Sequence, residues 1–129
     1  MSALQDLVSL RDKPWGVNRH LLSQPGLELH HATIQPGGFS SRHHHQHKDN
    51  HFYVVSGYLN VESYASDTEP EPFRVVTLKR GDQLIIRAGE WHRFVNAGSI
   101  IVDLIETYWA SPERSHEDII RADVGGRFD

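Results

Sequence analysis

Strand-length apolar stretches, each closed off by a glycine- or proline-bearing turn, recur along this chain and limit it to a sheet-built fold. They run from Leu27 to Ile34, Phe52 to Val55, Phe73 to Leu78, Gln83 to Ile86, Arg93 to Val95 and Ile100 to Tyr108. Several are rich in Val, Ile, Phe and Tyr, which fit the pleated, half-buried surface of a sheet. The segments between them include PGG, SG, RGD, AGE and NAG, whose glycines and prolines break regular structure. Many short strands with such punctuation predict an all-β fold, an antiparallel sandwich or barrel. The polar, acidic, proline-bearing segment from Ser63 to Pro72 reads as an exposed hairpin loop and not as a linker. With 129 residues, 38% of them hydrophobic, the chain supports one core and therefore one domain over 1–129, its body at about 13–121.

Towards the end, Ser115 precedes HEDIIR, a capping hydroxyl followed by acidic residues, with Arg121 three residues beyond the acids. That order suits the two poles of a helix and predicts one short helix over 115–121. The final GGRFD is expected to be a loosely held tail.

The formal net charge of −4 provides no basic surplus to neutralise a phosphate backbone, so no nucleic-acid partner is expected. The opening MSALQDLVSLRDKPWG has early acids and no long apolar run, which fits neither a secretory signal nor a membrane span. The expectation is a cytoplasmic protein with a small-molecule ligand. There is no cysteine, so disulfides and thiolate metal sites are excluded and histidine and carboxylate remain as metal-ligand chemistry.

Ten histidines are present, and five of them fall between His43 and His51. If residues 42–46 are extended, His43 and His45 point to one face and His44 to the other. Two imidazoles then converge, and further ligands must come from neighbouring strands. Taken alone, such a cluster could equally be a solvated polar loop. A second stretch, GDQLIIRAGEWHRFVN from Gly81 to Asn96, tips the balance: its glycines flank an apolar strand, and His92 follows a tight turn that can bring it beside the first pair.

With both stretches in view, the chain resembles the cupins. Gly37, His43, His45, position 50 and Gly57 match the first cupin motif, and Gly81, Gly89, His92 and Asn96 match the second, with Arg87 where the family usually has proline. The resemblance narrows to the C-terminal cupin domain of type II mannose-6-phosphate isomerases, found alone or fused to a mannose-1-phosphate guanylyltransferase. It is carried by KPWG at Lys13 to Gly16, by HHH followed by His51 and Phe52, by His92 with Arg93 and Asn96, and by the ending DLIE, EDIIR, Asp123 and Arg127. The chain departs from that family at Ser41 in place of glutamine, at one extra residue after His45, and at the missing Arg-Ala-Glu. It also has His30-His31 in place of Lys-Arg, and Asn50 where the family carries its glutamate ligand.

The resemblance implies a β-jelly roll holding one divalent ion on His43, His45 and His92, with Asn50 in the fourth position and His47 or Asp49 as alternatives to it. Zinc leads the candidate ions, followed by iron, nickel, cobalt, copper and manganese. Without the glutamate the ion keeps its full charge, which makes it a stronger Lewis acid and a weaker guest. The implied activity is aldose-ketose isomerisation of a sugar or sugar phosphate, with Glu106 as candidate base and Lys48 and Arg87 as candidates to hold an anionic group. The plainer alternatives are that Glu106 ends a strand in an ion pair and that both cations are ordinary surface residues. A three-histidine iron oxygenase and a noncatalytic sugar-binding module compete with the isomerase. By strand parity Phe52 and Phe94 line the interior beside Asn50 and His92. Trp15 and Trp109 are expected at a barrel edge or a subunit contact, and the edge strands of such a barrel suggest a homodimer.

Overall fold

The computed structural model describes residues 9–110 and 119–128. The strands are β1 (Ser9–Lys13), β2 (Gly16–Gln24), β3 (Leu27–Ile34), β4 (Gly38–Phe39), β5 (His43–His44), β6 (Asp49–Ser56), β7 (Leu59–Tyr64), β8 (Arg74–Leu78), β9 (Gln83–Ile86), β10 (Trp91–Val95), β11 (Val102–Trp109), β12 (Ile120–Arg121) and β13 (Gly126–Arg127). One sheet runs β1-β2-β3-β11-β6-β9. In the other, β4 and β5 lie end to end along one edge of β10, each with a two-residue strand outside it, β13 and β12 respectively, while β7 and then β8 extend the opposite edge. All pairings are antiparallel, as a double-stranded β-helix requires, and among the described residues there is no helix.

Directly opposed residues on antiparallel strands share a face, so the register shows how the interior is layered. At one end Val102 opposes Ile34, and the next layer joins Leu104 with Ala32 and Val54. All five are fully buried and belong to the main hydrophobic core, where Phe94 also packs edge-on against Trp15 at 5.0 Å. Moving along the same strands, the chemistry changes: Glu106 is level with His30 and Phe52, and Tyr108 with Glu28 and Asn50. The barrel therefore has an apolar end that holds it together and a polar end built from continuations of the same strands.

Two motif glycines are required by geometry. Gly57 turns the chain with φ +87°, and a Cβ there would come within 2.7 Å of the Ile101 carbonyl oxygen. Gly37 has φ +81°, and a Cβ there would meet the Phe128 carbonyl oxygen at 2.5 Å. Asn96, fully buried, donates from Nδ2 to the carbonyls of Ile34 and Ile100 and accepts from Gly98 N–H, so its motif role is to build the turn into β11.

The C-terminal expectations need correction. Most of the helix expected over 115–121 lies outside the described residues, but its end, Ile120–Arg121, is strand β12 paired with β5. The ladder to the histidine strand overrides the local helix signal there. Nor is the final segment loose, since β13 pairs with β4, Phe128 N–H donates to the Gly37 carbonyl at 2.7 Å, and Phe128 packs on Phe39 at 4.5 Å.

Candidate metal centre

His43 and His92 are opposed in register on β5 and β10, and His45 follows two residues after His43. All three are buried, and their ligand nitrogens lie within 4.8 Å of one another. His44 projects to the other side, against the Trp91 ring at 4.4 Å. The alternation along the HHH run thus sorts its members as strand parity predicts.

Two of the imidazoles are oriented by a partner behind them. His43 Nδ1 lies 2.8 Å from the Ser41 carbonyl, and His92 Nδ1 lies 2.8 Å from the Glu90 carbonyl. A carbonyl can only accept, so Nδ1 carries the proton and Nε2 keeps its lone pair, the arrangement that suits metal ligation. The Nε2 of His92 is buried with no hydrogen-bond partner. Burial pushes the His92 pKa down to about 4 and, helped by the neighbouring His92 and His45, holds His43 well below its usual value. Both of these rings are therefore neutral at ordinary pH. Gly89 N–H donates to the His45 carbonyl at 2.7 Å, which ties the turn before His92 to the other motif.

Asn50 sits on the facing sheet, almost fully buried. Its Nδ2 donates to Glu106 Oε2 at 3.3 Å, while its Oδ1 has no partner. A buried amide oxygen without a donor is costly, and a cation is the kind of guest that would satisfy it. The two alternatives for this position are otherwise placed. His47 is exposed, and Asp49 accepts from Ala88 N–H at 2.9 Å and Arg87 at 3.2 Å. Donor type, burial and mutual distance of His43, His45 and His92 fit one divalent ion.

His43 and His45 line a cavity of about 670 Å³, a volume that suits a small molecule. Glu106 lines it, buried, with both Tyr108 O–H (2.6 Å) and Asn50 donating to the same oxygen, Oε2. Burial raises its pKa, and the same burial with the Glu106 charge beside it holds Tyr108 well above its usual value. Glu106 is thus not the strand-end acid paired with arginine that the plainer reading offered. Lys48 is also in the cavity wall, buried, 3.2 Å from Glu28 and 4.8 Å from the centre of the Tyr108 ring. Arg87, expected beside it, is outside the cavity lining and exposed, with Asp49 as its partner. Phe52 and Phe94 line the interior as parity predicts, and Trp15 is with them in both the cavity lining and the core.

Sequence reasoning passed over another part of the cavity wall, on the same sheet as Glu106. His20, Glu28 and His30 cluster there, with Asn18 Nδ2 on His30 Nδ1 at 3.0 Å. The hydrogen bond to His30, together with Lys48, lowers the Glu28 pKa to about 2 against the cost of burial. The two rings stack at 4.4 Å with planes only 26° apart, so their lone pairs run side by side instead of converging, and His20 Nε2 lies 3.1 Å from the Leu22 carbonyl. This group is a polar wall for a ligand more than a second metal cage. The signal that could have exposed it is the parity of Glu28 and His30 with the core residues Ala32 and Ile34.

The fold and the paired histidine motifs define a cupin. The family described as Cupin domain matches residues 30–108, and the chain belongs to it. Among curated relatives it is 28% identical over 109 residues to a mannose-1-phosphate guanylyltransferase of Sinorhizobium fredii, covering 84% of this chain and 20% of that protein. It is 30% identical over 116 residues to the xanthan biosynthesis protein XanB of Xanthomonas campestris, covering 89% of this chain and 23% of that protein. The chain thus spans about a fifth of the length of these relatives. A solved structure from Klebsiella pneumoniae, an uncharacterized conserved protein with a double-stranded beta-helix domain, superposes with a TM-score of 0.70 at 16% identity, covering 94% of this chain and 89% of that one.

Proposed function

We propose that this cupin is a metal-dependent isomerase of a sugar or sugar phosphate, with His43, His45, His92 and Asn50 holding one divalent ion, zinc foremost, and Glu106 moving the proton. The observation that carries this reading is the convergence of three buried imidazoles beside a cavity that also contains a carboxylate of raised pKa, whose hydrogen-bond donor Asn50 has a buried amide oxygen without a partner. The names of the relatives, which concern a mannose phosphate and a polysaccharide, support a sugar-linked substrate.

When bound, the ion supplies Lewis-acid polarisation of substrate oxygens. The protein's own groups do the rest. Tyr108 and Asn50 fix Glu106 through Oε2, leaving Oε1 to take a proton from one carbon of the substrate and return it to the next. The raised pKa brings Glu106 closer to the operating pH, where a general acid-base group works best. Lys48, anchored by Glu28, and the stacked His20 and His30 present polar groups to substrate hydroxyls along the same sheet as Glu106.

The test is elemental analysis of untagged protein together with isomerisation of mannose 6-phosphate. One equivalent of zinc or a similar ion, with turnover abolished in Glu106→Gln and His92→Ala, is the expected result. The all-neutral ligand set favours a second reading, a three-histidine iron oxygenase, which would show bound iron, oxygen uptake and no isomerisation. A metal-loaded protein that binds sugar and turns over nothing would be a noncatalytic module. We further place the protein in the cytoplasm, in keeping with its lack of cysteine, and as a homodimer.

A further inference from the structure

We infer that Arg121 anchors an oxyanion subsite beside the three histidines, so that the ligand carries a carboxylate or phosphate group. The inference rests on the reading of the cavity as a ligand site, and it adds which end of the ligand is charged and what holds it.

The placement follows from the register. Arg121 on β12 is directly opposed to His43 on β5, and opposed residues share a face, so the guanidinium is on the same side of the sheet as the candidate metal ligand. It lines the same cavity, and its charge is felt at both His43 and Tyr108. The backbone around it is held in place: Ala122 N–H donates to the Arg42 carbonyl at 2.8 Å, and Asp123 accepts from Arg42 N–H at 2.6 Å.

The charge balance of the cavity points the same way. Its acids are already engaged, Glu28 by Lys48 and Glu106 by Tyr108 and Asn50. Its remaining cations, Arg121 together with Arg11 and Lys13 from β1, have no ion-pair partner among the described residues. A chain of net charge −4 has thus gathered three uncompensated positive groups at one opening. Such an arrangement attracts anions, and a guanidinium matches the two oxygens of a carboxylate or phosphate in a fork. Arg11 and Lys13 line the same cavity, and Arg121, level with His43, is the anchor.

The test is calorimetric titration at low ionic strength with inorganic phosphate and, separately, malonate, on the protein as purified and after chelator treatment. Wild type should bind at least one of the two, and which one identifies the group. Arg121→Gln should weaken that binding tenfold or more, Arg121→Lys should recover part of it, and Arg11→Gln with Lys13→Gln should cost a few-fold. Unchanged urea midpoints would show that the variants remain folded. Failure of wild type to bind either anion, or equal binding by Arg121→Gln, overturns the inference. Zinc titration of the same proteins separates the two readings: Arg121→Gln should bind zinc at least as tightly as wild type. Loss of zinc binding in wild type with anion binding intact would remove the metal reading and leave this one standing.

Discussion

Replacing Asn50 by leucine should make the metal-free protein more stable and the metal-binding protein worse. The two side chains are close in size, so packing in the almost fully buried site is kept. Oδ1 has no partner, and an orphaned buried acceptor costs about 1–3 kcal/mol, which leucine relieves. Against this stands the bond from Nδ2 to Glu106, worth about 1 kcal/mol and at 3.3 Å on the weak side, while Glu106 keeps its shorter bond from Tyr108. The balance is a gain of about 1 kcal/mol, raising the melting temperature by about 2–5 °C in a chain of this length. Zinc affinity should fall at least tenfold, about 1.4 kcal/mol, because one of four donors is gone. Urea unfolding after chelator treatment and zinc titration by calorimetry read the two effects. A variant destabilised by about 2 kcal/mol with zinc affinity unchanged would refute the reasoning, since Asn50 would then serve Glu106 and not the ion.

Four further outcomes are expected. Alanine at His43, His45 or His92 should each abolish stoichiometric metal binding while His44→Ala retains it, as measured by metal content after dialysis; equal loss at His44 would contradict the observed facing. Glu28 has a folded-state pKa of about 2 against an ordinary 4.5, so its contribution to stability is complete above 4.5 and is lost as pH falls from there towards 2. Glu28→Gln should therefore lower the urea midpoint at about pH 7, with a gap that narrows at about pH 3, and a constant gap would contradict this. Asn96→Ala should cost about 2–4 kcal/mol in urea unfolding, because two carbonyls and an amide lose their partner, and should leave zinc affinity intact. Light scattering should give twice the chain mass, and Tyr53→Lys with Ile85→Lys on the exposed outer face of the first sheet should reduce it to one.

How legible each strand was depends on which way its side chains face and what they are. β3 and β9 coincide with their apolar runs, and β6, β8, β10 and β11 differ from theirs only at the ends. β1 and β2 had no apolar signal because the residues they turn inward are Arg11, Lys13, Asn18 and His20, which line the cavity. The chemistry that makes those strands useful hides them from a hydrophobicity pattern. β7 went unread although Leu59 and Val61 alternate with Asn60 and Glu62, and its last residues, Ser63 and Tyr64, are buried strand where an exposed loop was expected. β12 and β13 are two-residue strands held by partners far away in the chain, which no local signal reports. The three histidines were readable because a motif carries them. Arg121 was missed because its local sequence suggests a helix, while its position opposite His43 exists only once the sheet has formed.

The pairing of His43 with His92 also bears on how the chain folds. His43 and His45 are local neighbours and can share an ion even in an unfolded chain, but His92 joins them only after β10 has docked against β5. An ion first caught by the local pair would then gain its third ligand only as the sheet forms, so it would cross-link distant segments in the folded state and add its binding energy there. Refolding in the presence of zinc should thus begin from an untethered chain, and removal of the ion should be felt most in the unfolding rate of the region where β5, β10 and β12 meet.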